Sequence, residues 1–465
     1  MKNKLIKAIV SVCVFVLLAF SSGFADEEGT IESKQQSLWE KVFTRWGGTI
    51  NYQFAYDLED NGQGEDLGDM RLKLSSYLDL KPWNKARLHL SVWGMGGAVG
   101  RFPGYSLKPE WYVRVPQEAY ISQSIWKFDI IAGYQTLKWG SNEFLSPTDN
   151  INPLDLRGFI DPDREDIVIP IPMVVTRFFI TDFIFLEAVA IPFFQRGLFH
   201  QFHTDFALCQ EGICPVEANE YIEYTGPDPW ELDWEYGARI RAQISDFTAE
   251  LNYFKTREDF PVYASVKDYR VTYEEIIIQQ RYPEYEIIGG GLAWRYKKTA
   301  LRAEGMYVPE RYFTTFKDFF FNKTSRLRPI LHPKTSPYYS WAVEAEYSPS
   351  RRLYLLAGYS EFVLTDPPPD LLISSKYMNV ALLMIRATAL RERLVFKVGA
   401  IYFIQDEEYA VAPRLSYQAT DKVELTVGAN ILEANRANTQ ELGGIAPISL
   451  YSKNDNAFIG VRYTF

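Results

Sequence analysis

The sequence predicts an all-β protein: an antiparallel, up-and-down transmembrane β-barrel of about 18 strands, with about 16 as the alternative count. Three observations carry that expectation. Apolar and polar residues alternate by twos through the chain after residue 43, short and long connections take turns between the alternating segments, and the composition is rich in aromatic residues. Tyr 30 and Phe 31 bring the aromatic share to 15%, yet the net charge is -10 and the mean hydropathy only -0.18. A barrel reconciles these values, because only every second residue of a spanning strand faces lipid.

The amino-terminal segment places Lys2, Lys4 and Lys7 before an apolar run from Ala8 to Phe20 and a Ser21-Ser22-Gly23-Phe24-Ala25 ending. That order is the pattern of a secretory signal peptide over residues 1–25, and the run is shorter than the roughly 20 residues a spanning helix needs. Cys13 falls inside it and is expected to be discarded with it. Residues 26–43, with GTIESKQQSLWEKVF, read as a short periplasmic extension, and residues 44–465 as the barrel with long outer loops.

Within 44–465 the alternation is direct. Trp46, Ile50, Tyr52, Phe54 and Tyr56 oppose Thr49, Asn51, Gln53 and Asp57, and Met70, Leu72, Leu74 and Leu78 oppose Arg71, Lys73, Ser75 and Asp79. Tyr339, Trp341, Val343 and Ala345 oppose Ser340, Glu344 and Glu346. Each segment alone would suit a half-buried strand of a soluble sheet. The connections decide against that, since tight turns such as 81–85, 297–299 and 420–422 take turns with polar stretches such as 58–68, 138–173, 192–233, 257–283 and 309–337. Short turns at one end and long loops at the other are what an up-and-down barrel produces. Two segments, 285–296 and 376–387, have no clean faces, because of Gly289-Gly290-Gly291 and the adjacent Ala381-Leu382-Leu383.

The last segment, NAFIGVRYTF, alternates Ala457, Ile459, Val461, Tyr463 and Phe465 against Gly460, Arg462 and Thr464. With this ending the chain resembles bacterial outer-membrane β-barrel proteins, whose final strand carries alternate apolar residues and a final Phe. The resemblance implies that Tyr463 and Phe465 form the signal read by the barrel assembly machinery, and that the barrel sits in outer-membrane lipid as a monomer or homotrimer.

The stretch from Gly133 to Pro172 follows the fifth predicted strand and is therefore the third outer loop. It holds Asp149, Asn152, Asp155, Arg157, Asp161, Asp163 and Arg164 together with several prolines that restrict its backbone. By position it resembles the loop that folds inward and narrows the pore of the general porins. Gly133, Gln135, Trp139-Gly140, Asp149, Asn152-Pro153 and Asp155 are also similar to the GxQ, WG and DxxNPxD pattern of an uncharacterised family of proteobacterial outer-membrane barrels. The seven charged or amide residues above are thus the expected pore-constriction residues. The simpler alternative is a solvated acidic loop.

Alternation assigns to the lumen Arg71, Lys73, Arg87, Glu118, Arg177, Arg239, Arg241, Arg302 and Glu344, along with Arg114, Lys397, Arg414, Asp79, Asp129, Glu187, Glu250 and Glu304. Charges on a pore wall select ions and orient polar solutes, although many simply solvate a polar interior.

Other chemistries find less support. A lipid hydrolase needs a nucleophile and a His on the lipid-facing rim, but His89 falls on the lumen face and His200, His203 and His332 in loops. His200, His203 and Asp205 lack ligand spacing on a regular element, so no metal is expected. Cys209 and Cys214 form an even pair in one loop of an exported chain and are expected to make a small disulfide. No Gly-rich phosphate loop follows a strand and opens a helix, no cofactor is expected, and the acidic balance argues against nucleic acid. The expected function is an outer-membrane, porin-like channel for passive passage of small solutes, not an enzyme; a receptor or adhesin barrel with a closed pore is the alternative.

Overall fold

The structure is a computed structural model that describes residues 43–58, 67–101, 108–156, 167–199, 222–228, 230–268, 275–321, 327–368, 370–371, 377–434 and 455–465. The described residues belong almost entirely to one unit, Thr44–Phe465. The predicted signal peptide and nearly all of the predicted extension lie outside the described residues.

The strands are β1 (Phe43–Asp57), β2 (Leu67–Leu80), β3 (Ala86–Arg101), β4 (Lys108–Ile125), β5 (Phe128–Gln135), β6 (Ile171–Phe179), β7 (Ile184–Ile191), β8 (Ile222–Tyr224), β9 (Glu235–Ile244) and β10 (Phe247–Arg257). They continue with β11 (Val262–Asp268), β12 (Glu275–Arg281), β13 (Glu284–Tyr296), β14 (Thr299–Phe321), β15 (Leu327–Ser350) and β16 (Leu353–Leu364). The last five are β17 (Tyr377–Ala389), β18 (Leu394–Phe403), β19 (Glu408–Gln418), β20 (Val423–Glu433) and β21 (Asn456–Thr464).

Eighteen of these form one antiparallel sheet in which chain neighbours pair and β21 returns to β1, so the sheet closes as expected. Closure removes the edges that would otherwise leave backbone groups unpaired. The register separates two faces. Leu251 (68% exposed) and Ile459 (60%) point outward, while Glu344 (2%) and Ala342 (0%) point inward. Trp341 and Gly305 pair outward; Arg302 and Glu344 pair inward.

Three strands were not anticipated. β8, β11 and β12 form a separate small sheet, and β14 and β15 keep pairing as far as Phe321 and Leu327, across register shifts at Val308/Arg311 and Phe316/Asp318. The expected long loops 257–283 and 309–337 are therefore largely strand. Tyr312, Phe313, Thr314 and Thr315 supply the aromatic and β-branched side chains that suit a pleated surface. The small sheet is tied to this extension by the Tyr263 N–H on Thr314 Oγ1 (3.0 Å) and the Leu331 N–H on Ser265 Oγ (2.8 Å).

Closure also seats Phe465. Its N–H donates to Gly48 O (3.1 Å) and its carbonyl accepts the Gly48 N–H (3.3 Å), while its ring lies 5.9 Å from Trp46. A Cβ on Gly48 would stand 2.5 Å from that ring and 2.3 Å from Ser75 O. Only glycine leaves that space.

Candidate functional site: a loop held inside the lumen

The connection from β5 to β6 leaves the wall at Thr136. There the Thr136 N–H and hydroxyl both donate to Glu118 Oε1 of β4, at 2.9 and 2.8 Å. The next turn is fixed by Asn152, whose Oδ1 accepts the Leu137 N–H (2.8 Å) and whose Nδ2 donates to Ile169 O (3.0 Å). One buried amide thus joins the outgoing and returning arms of the loop.

Trp139 carries the chain across the interior. Its indole N–H donates to Glu187 Oε1 of β7 (2.8 Å), and its ring packs edge-on against Phe254 of β10, 5.9 Å between centroids. Glu187 also stands 2.5 Å from Arg177 Nε and 2.9 Å from Arg239 Nε. Two of the predicted lumen arginines therefore balance a fully buried carboxylate. Around Trp139, the loop residues Leu137 and Ile151 pack with inward-facing Ile171, Met173, Val189, Ile191, Ile287, Met306 and Val308 into one apolar core. This core explains the unclear face of β13. The lumen side there is apolar at Tyr285 and Ile287 because it is covered by protein, not water. On β17, Val380 and Leu382 point inward and are buried too.

The loop then meets the far wall. Glu304 of β14 accepts the Ser141 and Asn142 N–H groups on Oε1, and the hydroxyls of Ser146 (2.6 Å) and Thr148 (2.8 Å) on Oε2. Glu344 of β15 accepts the Glu143 N–H on Oε2 (2.6 Å), and the Phe144 and Leu145 N–H groups on Oε1 (both 2.9 Å). A carboxylate is expensive to bury unless its lone pairs are met, and here two are met by the chain they hold. Gly140, at φ +91, makes the turn over Glu304; a Cβ there would lie 2.6 Å from Glu304 Oε2 and 2.4 Å from Ser146 Oγ. The Trp139-Gly140 pair thus has a physical reason: a bulky anchor followed by a residue without Cβ.

The returning arm is pinned by Arg114 of β4, which donates to Asp155 Oδ2 (2.8 Å) and Val168 O (3.0 Å) and lies 4.8 Å over Trp93. Asp155 is buried at this ion pair. The acidic field expected from it is accordingly balanced by Arg114. Asp149 and Asn152 lie in the described part of the loop, whereas Arg157, Asp161, Asp163 and Arg164 lie outside the described residues, as do Cys209, Cys214, His200 and His203.

The rest of the lumen wall, β1 to β4 and β17 to β21, carries many charged residues beside buried apolar ones such as Leu382, Leu432 and Phe458. Arg71, Lys73 and Arg87 face inward, with Arg87 exposed. Arg241 faces inward beside Glu250, and Arg302 stands 2.5 Å from Glu346. Across three neighbouring strands Arg386, Lys397 and Arg414 are direct partners, a row of like charge, and Tyr354 of β16 continues the same row. The Tyr354 hydroxyl donates to Glu143 Oε2 of the loop (3.2 Å). Arg386, Tyr354 and Glu143 escaped the sequence reading. Alternation around Arg386 was obscured by Leu382 and Leu383, and nothing in the pattern marks a single loop carboxylate.

The molecule is thus an 18-stranded β-barrel with a connection folded into its lumen. No family model matches the sequence, and no curated protein matches it. Solved barrels of similar build include OccAB1 of Acinetobacter baumannii (8% identity, TM-score 0.49, covering 94% of this chain and 99% of that one) and OccK5 of Pseudomonas aeruginosa (10%, 0.47, 90% and 98%). The outer membrane channel DcaP of Acinetobacter baumannii is similar at 10% identity and TM-score 0.42, with 90% and 96% covered. At these values the functional reading rests on this chain's own geometry.

Proposed function

We propose that the protein is an outer-membrane channel for passive passage of small solutes, in which residues 136–156 narrow the passage. One observation carries the reading: the loop fills the lumen beside β6 to β16, while on the opposite wall inward-facing Arg87, Arg386 and Lys397 remain exposed to solvent. Inward charge exposed to solvent describes a water-filled passage beside a plug of protein. The apolar outward face is the surface a bilayer covers, with the short turns on the periplasmic side. The exposed cations favour small anionic solutes, and the passage needs no cofactor and no covalent chemistry.

Reconstitution of the purified barrel in planar bilayers is expected to give discrete conductance steps. An assembled barrel without steps would turn the reading to the closed receptor or adhesin.

Four further expectations belong to this proposal. Residues 1–25 are removed on export, and the barrel assembles as a monomer or homotrimer. Tyr463 and Phe465 act as the signal for the assembly machinery, so deleting Phe465 lowers the fraction of barrel with heat-modifiable mobility several-fold; unchanged mobility would remove that role. Cys209 and Cys214 are bridged, so thiol labelling of the denatured, unreduced protein finds neither free, and quantitative labelling of both would exclude the bridge.

A further inference from the structure

His89 of β3 stands on the lumen face between two carboxylates. Its Nδ1 is 2.6 Å from Asp79 Oδ1 of β2, and its Nε2 is 3.8 Å from Glu118 Oε2 of β4. Its ring lies between Tyr120 (5.1 Å, 23°) and Tyr77 (6.4 Å, 15°), a sandwich that fixes the imidazole plane. The other oxygen of Glu118 accepts both donors of Thr136, the first residue of the infolded loop. His89 is thus hydrogen-bonded to Asp79 and stands at ion-pair distance from Glu118, which holds the root of the loop.

The two ring nitrogens do different work. At 2.6 Å from a carboxylate, Nδ1 carries a proton in either charge state, because Asp79 only accepts. A neutral ring then presents a lone pair from Nε2 toward Glu118, which holds nothing. A protonated ring presents an N–H and a positive charge to the same oxygen. Other ionisable groups nearby are Tyr77 and Asp79 on β2, Tyr120 and Glu118 on β4, Arg87 on the same strand, and Arg45 of β1, whose guanidinium lies 5.3 Å over Tyr77. Of these residue types, imidazole is the one whose charge ordinarily changes between pH 5 and 8.

We propose that His89 is a positioning residue that couples proton uptake in the lumen to the hold on the loop's root: protonated, it fixes Glu118, and Glu118 in turn fixes Thr136. The inference is independent of whether the barrel conducts, since its first readout is the loop root itself.

The test is amide exchange, corrected for the intrinsic effect of pH, on the peptide containing Thr136 in the full-length, detergent-folded protein. Protection in the parent is expected to be at least about threefold greater at pH 5.5 than at pH 8. His89→Gln should give the low value at both pH values, and His89→Lys, which keeps a cation there, the high value at both. A pH response in His89→Gln equal to the parent's would overturn the proposal and assign the effect to the carboxylates. A parent with no pH response would overturn it as well. Should His89→Gln fail to fold, Glu118→Gln supplies the same comparison, because it keeps a Thr136 acceptor while removing the charge His89 would hold. Open-channel current noise at the two pH values gives a second readout. Loss of conductance with the exchange pattern intact would count against the channel reading alone.

Discussion

Replacing Glu304 and Glu344 together by alanine is expected to raise single-channel conductance about twofold or more, while leaving a barrel that still assembles. The two carboxylates hold seven donors of the loop: four reach Glu304 and three reach Glu344. Hydrogen bonds to a charged group contribute about 1.5–3 kcal/mol each, and donors left without a partner cost about 1–3 kcal/mol. Without the carboxylates, residues 141–148 would keep unpaired amides in the lumen, and water satisfies those amides only if the segment lifts away. The apolar anchors at Leu137, Trp139 and Ile151 remain, so the root should stay in place and only the far arm should move. Wall pairing is untouched, because Arg302 and Glu344, like Glu304 and Gly291, are joined through their backbones. Each single substitution should give a smaller rise than the pair, and glutamine less than alanine, since an amide oxygen still accepts. Parent conductance in an assembled double variant would mean that residues 141–148 do not narrow the passage.

The sequence carried the barrel well because alternation reports a physical boundary: a wall with an apolar outer face and a more polar inner face forces a period of two. The same property explains where it fell short. On β13 the inner face meets the infolded loop, so Ile287 is as buried as a core residue, and on β17 inward Leu382 is buried as well; in both the contrast between faces disappears. Along β14 and β15 the pairing runs on as far as Phe321 and Leu327, so strand pattern extends into what length alone would make loop. Glu187, Glu304 and Glu344 were legible as lumen residues but not as anchors. The role of Glu304 and Glu344 depends on backbone N–H groups of residues 141–145, far away along the chain, and backbone amides leave no mark in a sequence; Glu187 is met by the Trp139 indole and two arginine side chains. Trp139-Gly140 was the one local clue, a large side chain beside a residue that can take positive φ, and its meaning required the carboxylate beneath it.

Neutralising Arg386, Lys397 and Arg414 with glutamine should shift the reversal potential in a salt gradient toward cations, several-fold in relative permeability. The register makes these three direct partners on neighbouring strands, and such partners have Cβ atoms about 4.5–5.5 Å apart. Like charges along such a row repel one another, and an anion entering between the side chains is attracted by all of them. Arg386 and Lys397 are exposed, so neutralising these two should cost the barrel little, which separates loss of selectivity from loss of fold. Arg414 lies 5.0 Å over Phe458, an attraction that glutamine forfeits, so Arg414→Gln is the single change to check first for assembly. The effect should be larger near 10 mM salt, where the screening length is about 30 Å, than near 1 M, where it is about 3 Å. Glu143 faces this row from the loop through Tyr354, and Glu143→Gln should move the reversal potential in the opposite sense by a smaller amount. If the triple variant and Glu143→Gln both keep the parent reversal potential at low and high salt, the permeating ion does not pass this wall, and the charges serve only to hydrate it.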